Sequence, residues 1–236
     1  PKQVYGYGSM IPKPLDIFND KNNVIISAPK VGTSTLRYIK GINSGSFLDL
    51  EPGKKQKWML IRHPYERYVS GLISNRTYSV SRLMLGPQEK KKFRNLELHN
   101  YLTTMPILRD PSFWDHYIKN QVNHNNSNNW GLRDVHTSNW LDRFVVPENC
   151  KIVHLKQMNT LLTQLGYSQV ETRNESDPKV LAAIDEALEC PNYRLDLFRY
   201  LRPEIKVYER LVEQLEFATE YPEDKTGGML GKGLSY

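Results

Sequence analysis

Cysteine is scarce in this chain: only Cys150 and Cys190 occur, and they do not form a C-x-x-C pair. That excludes a disulfide-stapled scaffold and the paired thiols of zinc ribbons and redox motifs. Long apolar runs are also lacking. None approaches the roughly 20 residues that a membrane helix needs, and the mean hydropathy is −0.59. No Gly-Lys-Ser or Gly-Lys-Thr triplet occurs, so the magnesium-binding loop of nucleoside triphosphate enzymes is missing. There is no zinc spacing, no aromatic RNA-binding signature and no long basic tract, so nucleic acid is not an expected partner.

What remains fits one unit. With 236 residues and 39% hydrophobic content, the chain can bury a full core as a single domain spanning residues 1–236. Residues 1–21, rich in Pro, Gly, Tyr and Asn, read as an extended arm, and the glycine-rich 220–236 as a flexible tail. Residues 22–72 carry the strongest local signals.

The first of these is Val24-Ile25-Ile26-Ser27-Ala28 followed by Pro29-Lys30-Val31-Gly32-Thr33-Ser34-Thr35. An apolar strand meets a tight turn, and three hydroxyl residues then open a helix expected to continue through Leu36, Tyr38 and Ile39. The first N–H groups of a helix have no internal partner, and its dipole favours negative charge there. Gly32 allows close backbone approach, Thr33, Ser34 and Thr35 add donors, and Lys30 adds a full charge. The segment reads as a cradle for a phosphate-type anion.

The second signal is Trp58-Met59-Leu60-Ile61 followed by Arg62-His63-Pro64-Tyr65-Glu66-Arg67-Tyr68-Val69-Ser70. The apolar run suits a buried parallel strand, and Pro64 suits the first turn of a helix. Arg62 then projects from the carboxyl end of a strand, where α/β sheets bind ligands. Ser70 lies two turns into the helix. A guanidinium fork with a hydroxyl suits a second phosphate.

Together these two segments resemble the sulfotransferases that use 3′-phosphoadenosine 5′-phosphosulfate (PAPS). Residues 29–35 are similar to that family's 5′-phosphosulfate loop, and residues 62–70 to its 3′-phosphate motif, R-[DE]-P-x-x-R-x-x-S. His63 stands where the motif has an acidic residue, and His154 stands in a stretch where a glutamate is common. The layout of Trp114, Gln121 and His124, then of Cys150–Leu155 and Met158–Leu165, is similar to the carbohydrate branch. Val207-Tyr208-Glu209-Arg210 with Phe217 is similar to its tyrosine-centred closing helix.

The resemblance implies an enzyme that moves a sulfuryl group from PAPS to a hydroxyl or amine of an acceptor, a carbohydrate above all. The product would be 3′-phosphoadenosine 5′-phosphate, and no metal is required. It assigns Lys30, Val31, Gly32, Thr33, Ser34 and Thr35 to the 5′ end of the donor, and Arg62 and Ser70 to its 3′-phosphate. Lys30 would stabilise the leaving phosphate. An acceptor proton needs a base; His124 ranks first. Glu51 ranks second, on a strand expected over Gly45–Glu51 that would put Asp49 and Glu51 on one face. An atypical kinase and a non-catalytic phosphate- or nucleic-acid-binding module are the alternatives. The compartment would be the Golgi lumen if an anchor precedes Pro1, and the cytoplasm otherwise.

Net charge is +6, with lysines clustered at 54, 55 and 57 and at 90–92, which would steer an anionic donor or an acidic glycan. The expected fold is α/β: a P-loop-like core with a parallel β-sheet flanked by helices, and a helical C-terminal third. There, Val180, Leu181, Ile184 and Leu188 mark one apolar face, and Ile205, Tyr208, Leu211, Val212 and Leu215 another. Pro191 and Pro203 are expected to divide that region.

Overall fold

The computed structural model describes residues 15–51, 53, 55–84, 102, 104–124, 137, 139–141, 144–168 and 177–217, without the side chains of Phe47 and of 76–84, 120–124 and 191–192. Residues 1–14 of the expected arm, the 220–236 tail and lysines 54 and 90–92 lie outside the described residues. In chain order the first elements are β1 (Asp16–Asn19), β2 (Asn23–Ser27), α1 (Thr33–Leu36), β3 (Asn43–Ser44), β4 (Gln56–Ile61) and α2 (Pro64–Met84). Then come α3 (Pro111–His124), β5 (Cys150–His154), α4 (Met158–Gln164), α5 (Pro178–Ala187) and α6 (Pro191–Val212).

Three apolar runs make the centre of the sheet. Val24 to Ile26, Trp58 to Ile61, and Ile152 with Val153 are buried without interruption. Strands covered on both faces carry such continuous runs. β2, β4 and β5 pair in parallel, with Ile26 opposite Met59 and Ile61 opposite His154.

The sheet is nevertheless mixed, not wholly parallel. Its order is β3-β1-β2-β4-β5, and β1 runs antiparallel to both β2 and β3. Residues 16–19, expected within the arm, are therefore a strand, held by buried Ile17 and Phe18. The β1–β2 turn is made by Asp20, whose Oδ1 accepts the N–H of Asn22 at 2.7 Å and of Asn23 at 2.6 Å. An aspartate that bonds backbone two and three residues ahead sets such a turn locally.

The strand expected over Gly45–Glu51 does not form. Only Asn43 and Ser44 pair, and Phe47–Leu50 is a 3-10 turn. The Ser46 N–H donates to Asp49 Oδ2 at 2.7 Å, closing a capping box. Local side-chain bonds of this kind compete with strand pairing. Asp49 and Glu51 consequently share no strand face.

The helices add a second core. Tyr68, Val69, Leu72 and Ile73 of α2 pack with Trp114 and Ile118 of α3, Val180 and Ile184 of α5, and Leu197 and Leu201 of α6. The face expected on α5 is the buried one. α6 passes through Pro203 without a break; Pro203 is exposed, so its missing bond falls on the solvent side, while Leu201 and Glu204 are buried. Pro191 divides the region as expected, standing at the first position of α6 after α5 has ended at Ala187. No helix among the described residues is long and apolar enough to cross a membrane.

Candidate functional site

Because β2, β4 and β5 are parallel, Pro29-Lys30, Arg62-His63 and Leu155-Lys156 leave the sheet side by side at one edge. The first loop is tied inward. Val31 N–H donates to the Ala28 carbonyl at 3.0 Å, the Thr33 hydroxyl donates to the same carbonyl at 2.8 Å, and the Ser27 hydroxyl donates to the Val31 carbonyl. Thr33, expected as an anion donor, thus spends its proton on the loop. Thr35 is buried as well, and Ser34 is the exposed hydroxyl of the three.

The backbone turns through two left-handed residues, Lys30 at φ 68° and Gly32 at φ 83°. For a residue with a side chain that region costs on the order of 1–2 kcal/mol. Gly32 is required twice over, since a Cβ there would lie 2.8 Å from Met158 Sδ and 3.1 Å from Leu155 Cδ1. α1 is a single turn and ends before the expected Ile39. Its first intrahelical bond runs from Leu36 N–H to the Gly32 carbonyl at 3.0 Å, so the N–H groups of Thr33, Ser34 and Thr35 precede it.

Arg62 joins the two loops. Its Nη1 donates to the Lys30 carbonyl at 3.2 Å, and its Nε faces Glu66 Oε2 at 3.4 Å. Burial pulls the guanidinium below its usual range, and the Glu66 carboxylate opposes that pull. Ser70 is buried one turn beyond Glu66 on α2, and helical spacing puts the two on one stripe. Arg67 is not a surface residue: its Nη2 lies 2.9 Å from Glu204 Oε2, with both side chains 1% exposed.

Glu51 is not brought to this edge. It is exposed, ahead of the amino end of β4, and its neighbour Asp49 accepts from Ser46 and Asn19 and feels Lys55, which belong to the opposite end of the sheet. Those bonds hold Asp49 below the ordinary carboxylate range. His124 ends α3, and its side chain lies outside the described residues. Lys57, expected in a solvated basic cluster, is buried in β4.

Three aromatic residues complete the edge, and local spacing does not reveal them as a group. The His63 and Tyr208 rings meet edge to face at 5.1 Å and 83°, and His154 approaches Tyr208 at 6.4 Å and 64°. Burial, chiefly, pushes His154 down to about 4. Glu66 opposes that shift, while Lys156, Arg62 and His63 add to it. Its Nδ1 accepts the Lys156 N–H at 3.4 Å, so the imidazole is neutral at pH 7. His63 and His154, one just past the end of β4 and one at the end of β5, thus converge on Tyr208.

Several groups that could meet an anion lie at this edge. Lys30 and Arg62 offer positive charge, Ser34 and the α1 N–H groups offer neutral donors, and the Gly32 turn, packed on Met158, keeps Cβ atoms out of the way. Compared with known proteins, the chain matches no protein-family model, no curated protein and no solved structure.

Proposed function

We propose that the chain is a PAPS-dependent sulfotransferase acting on a hydroxyl or amine of an acceptor, with carbohydrates as the first class to test. The observation that carries this reading is the Arg62 Nη1 contact to the Lys30 carbonyl at 3.2 Å. It joins the two motif loops at the carboxyl ends of adjacent parallel strands, the crevice that α/β sheets use for nucleotides.

In this reading Arg62 and Ser70 hold the 3′-phosphate, and Lys30 faces the 5′ end with Ser34 and the backbone of residues 31–35. The sulfur–oxygen bond to the phosphate breaks as one to the acceptor oxygen or nitrogen forms. Lys30 stabilises the charge that grows on the departing phosphate, a role suited to a donor fixed beforehand. The acceptor proton passes to a base, for which His124 stays the candidate. A sulfuryl group bears less charge than a phosphoryl group, so one lysine can serve where phosphoryl enzymes add magnesium.

Calorimetric titration with 3′-phosphoadenosine 5′-phosphate tests the donor site, with 5′-AMP and ATP–magnesium as controls. Micromolar binding of the bisphosphate without magnesium is expected. Arg62→Ala should weaken it by about ten- to a hundredfold, the loss of a charge-assisted phosphate contact. Preference for ATP–magnesium would turn the reading to a kinase. Binding of none of the three would reduce both motifs to structural turns.

A further inference from the structure

The Arg62 loop is braced by the last helix. His63, the residue just before α2, lies one turn from Arg67, and the Arg67 N–H donates to the His63 carbonyl at 3.0 Å. On α6, Glu204 and Tyr208 also lie one turn apart, and residues so spaced share a face. The two stripes meet pair by pair, Arg67 with Glu204 and His63 with Tyr208. The Tyr208 ring also reaches His154, the residue opposite Ile61 in the β4–β5 register. It is therefore wedged between the residue that follows Arg62 and the end of the neighbouring strand, and all three rings are buried.

We propose that Tyr208 is a positioning residue that sets the preference for a nucleotide carrying a second phosphate. It does so by holding the Arg62–His63 backbone against β5, without touching the ligand. This rests on the donor-site reading above. Arg62 is a long side chain aimed from its backbone, so a small rotation at residues 62–63 moves the guanidinium much more than it moves Lys30. Lys30 belongs to the β2 loop, whose own bonds come from Ser27 and Thr33. The contact at risk is thus chiefly the one to the second phosphate: the β2 loop would lose the Arg62 bond to the Lys30 carbonyl and keep those from Ser27 and Thr33. His154, neutral at pH 7, packs against Tyr208 without adding a competing cation beside Arg62.

The test is calorimetry on the full chain with two ligands, 3′-phosphoadenosine 5′-phosphate and 5′-AMP, for wild type, Tyr208→Leu and Tyr208→Phe. Tyr208→Leu should cut the preference for the bisphosphate by about tenfold or more, the size of a lost or misaimed charged hydrogen bond. Affinity for 5′-AMP should stay within about twofold, because the Ser27 and Thr33 bonds still hold the β2 loop. Tyr208→Phe keeps the ring and should keep the preference. A merely structural role would weaken both nucleotides together and leave their ratio alone. If Tyr208→Leu does not fold, His154→Leu removes the other side of the wedge while the Arg67–Glu204 pair still docks α6, and the same selective loss is expected. A selective wild type with an equally selective variant overturns this inference alone. A wild type that binds both nucleotides alike overturns the donor-site reading and takes this inference with it.

Discussion

The core around the sheet and the core among the helices hold together by different means. Around β2, β4 and β5 the packing is mostly apolar, through Ile26, Met59, Leu60 and Val153 among others, and the buried hydroxyls of Ser27 and Thr33 bond to loop carbonyls instead of to distant side chains. Among the helices, apolar packing is threaded with specific polar pairs. Arg67 meets Glu204, the Tyr65 hydroxyl donates to Asp185 Oδ1 at 2.8 Å, and Arg109 meets Asp177 at 2.7 Å. An aliphatic core tolerates volume-conserving exchange. A fully buried pair such as Arg67–Glu204, with both side chains 1% exposed, does not, because losing one partner leaves the other's charge away from solvent. The candidate edge lies where the two meet, and inherits its loops from the sheet and its bracing from the pairs.

The sharpest way to break that contrast is at Arg67. Arg67→Leu alone should cost about 3–5 kcal/mol in denaturant unfolding, because Glu204 is left charged and buried, whereas Arg67→Leu with Glu204→Leu should recover most of the loss. In the sheet, Ile26→Val should cost only about 0.5–1.5 kcal/mol. A single Arg67 variant as stable as the double one would mean that the pair carries no weight.

At the edge itself, Lys30→Ala should lower release of the bisphosphate from PAPS by about a hundred- to a thousandfold, as when one preorganised donor is lost, with the melting temperature little changed. Turnover within a few-fold of wild type would remove Lys30 from the mechanism.

Next in size is a pH effect from His154. The unfolded imidazole takes a proton near 6.5, while the folded one stays neutral down to about 4. Between these values the unfolded chain binds more protons, so stability falls as the pH drops from 6.5 toward 4, by up to about 3 kcal/mol. His154→Leu should flatten that slope in acid unfolding series, and an unchanged slope would assign it to other groups.

The smallest effect is expected at Asp177, which caps α5 through the Lys179 N–H at 2.8 Å and also holds Arg109. Asp177→Ala should cost about 0.5–2 kcal/mol in thermal unfolding.

The same contrast explains what could be read from the sequence. β2, β4 and β5 were legible because a strand buried on both faces is written as an unbroken apolar run, and α5 because its apolar face repeats at helical spacing. Lys30 and Arg62 could be read as neighbours because Arg62 follows one such run directly and Lys30 follows another after a short turn. β1 was missed: four residues, Asp-Ile-Phe-Asn, carry too little pattern to stand out from a Pro- and Gly-rich neighbourhood. Glu51 was misplaced because Ser46 and Asp49 close a turn that alternation does not anticipate. The pairs of the helical core span 120 residues for Tyr65–Asp185 and 137 for Arg67–Glu204, and no local rule joins partners so far apart. The His63–Tyr208–His154 group fails to show for the same reason.

Among the described residues, one margin of the sheet is short and the other is partly covered. On one side β3 pairs over two residues only. On the other, Leu215 bridges Ile152, and the Glu216 N–H donates to the Ile152 carbonyl at 2.9 Å, with the Lys151–Glu216 ion pair alongside. A sheet whose rims are this short or already occupied offers little template for a strand from another molecule. Leu215 and Glu216, just after α6, thus occupy backbone that would otherwise be open on β5, and a Leu215→Pro chain would be expected to show the loss first as aggregation at high concentration.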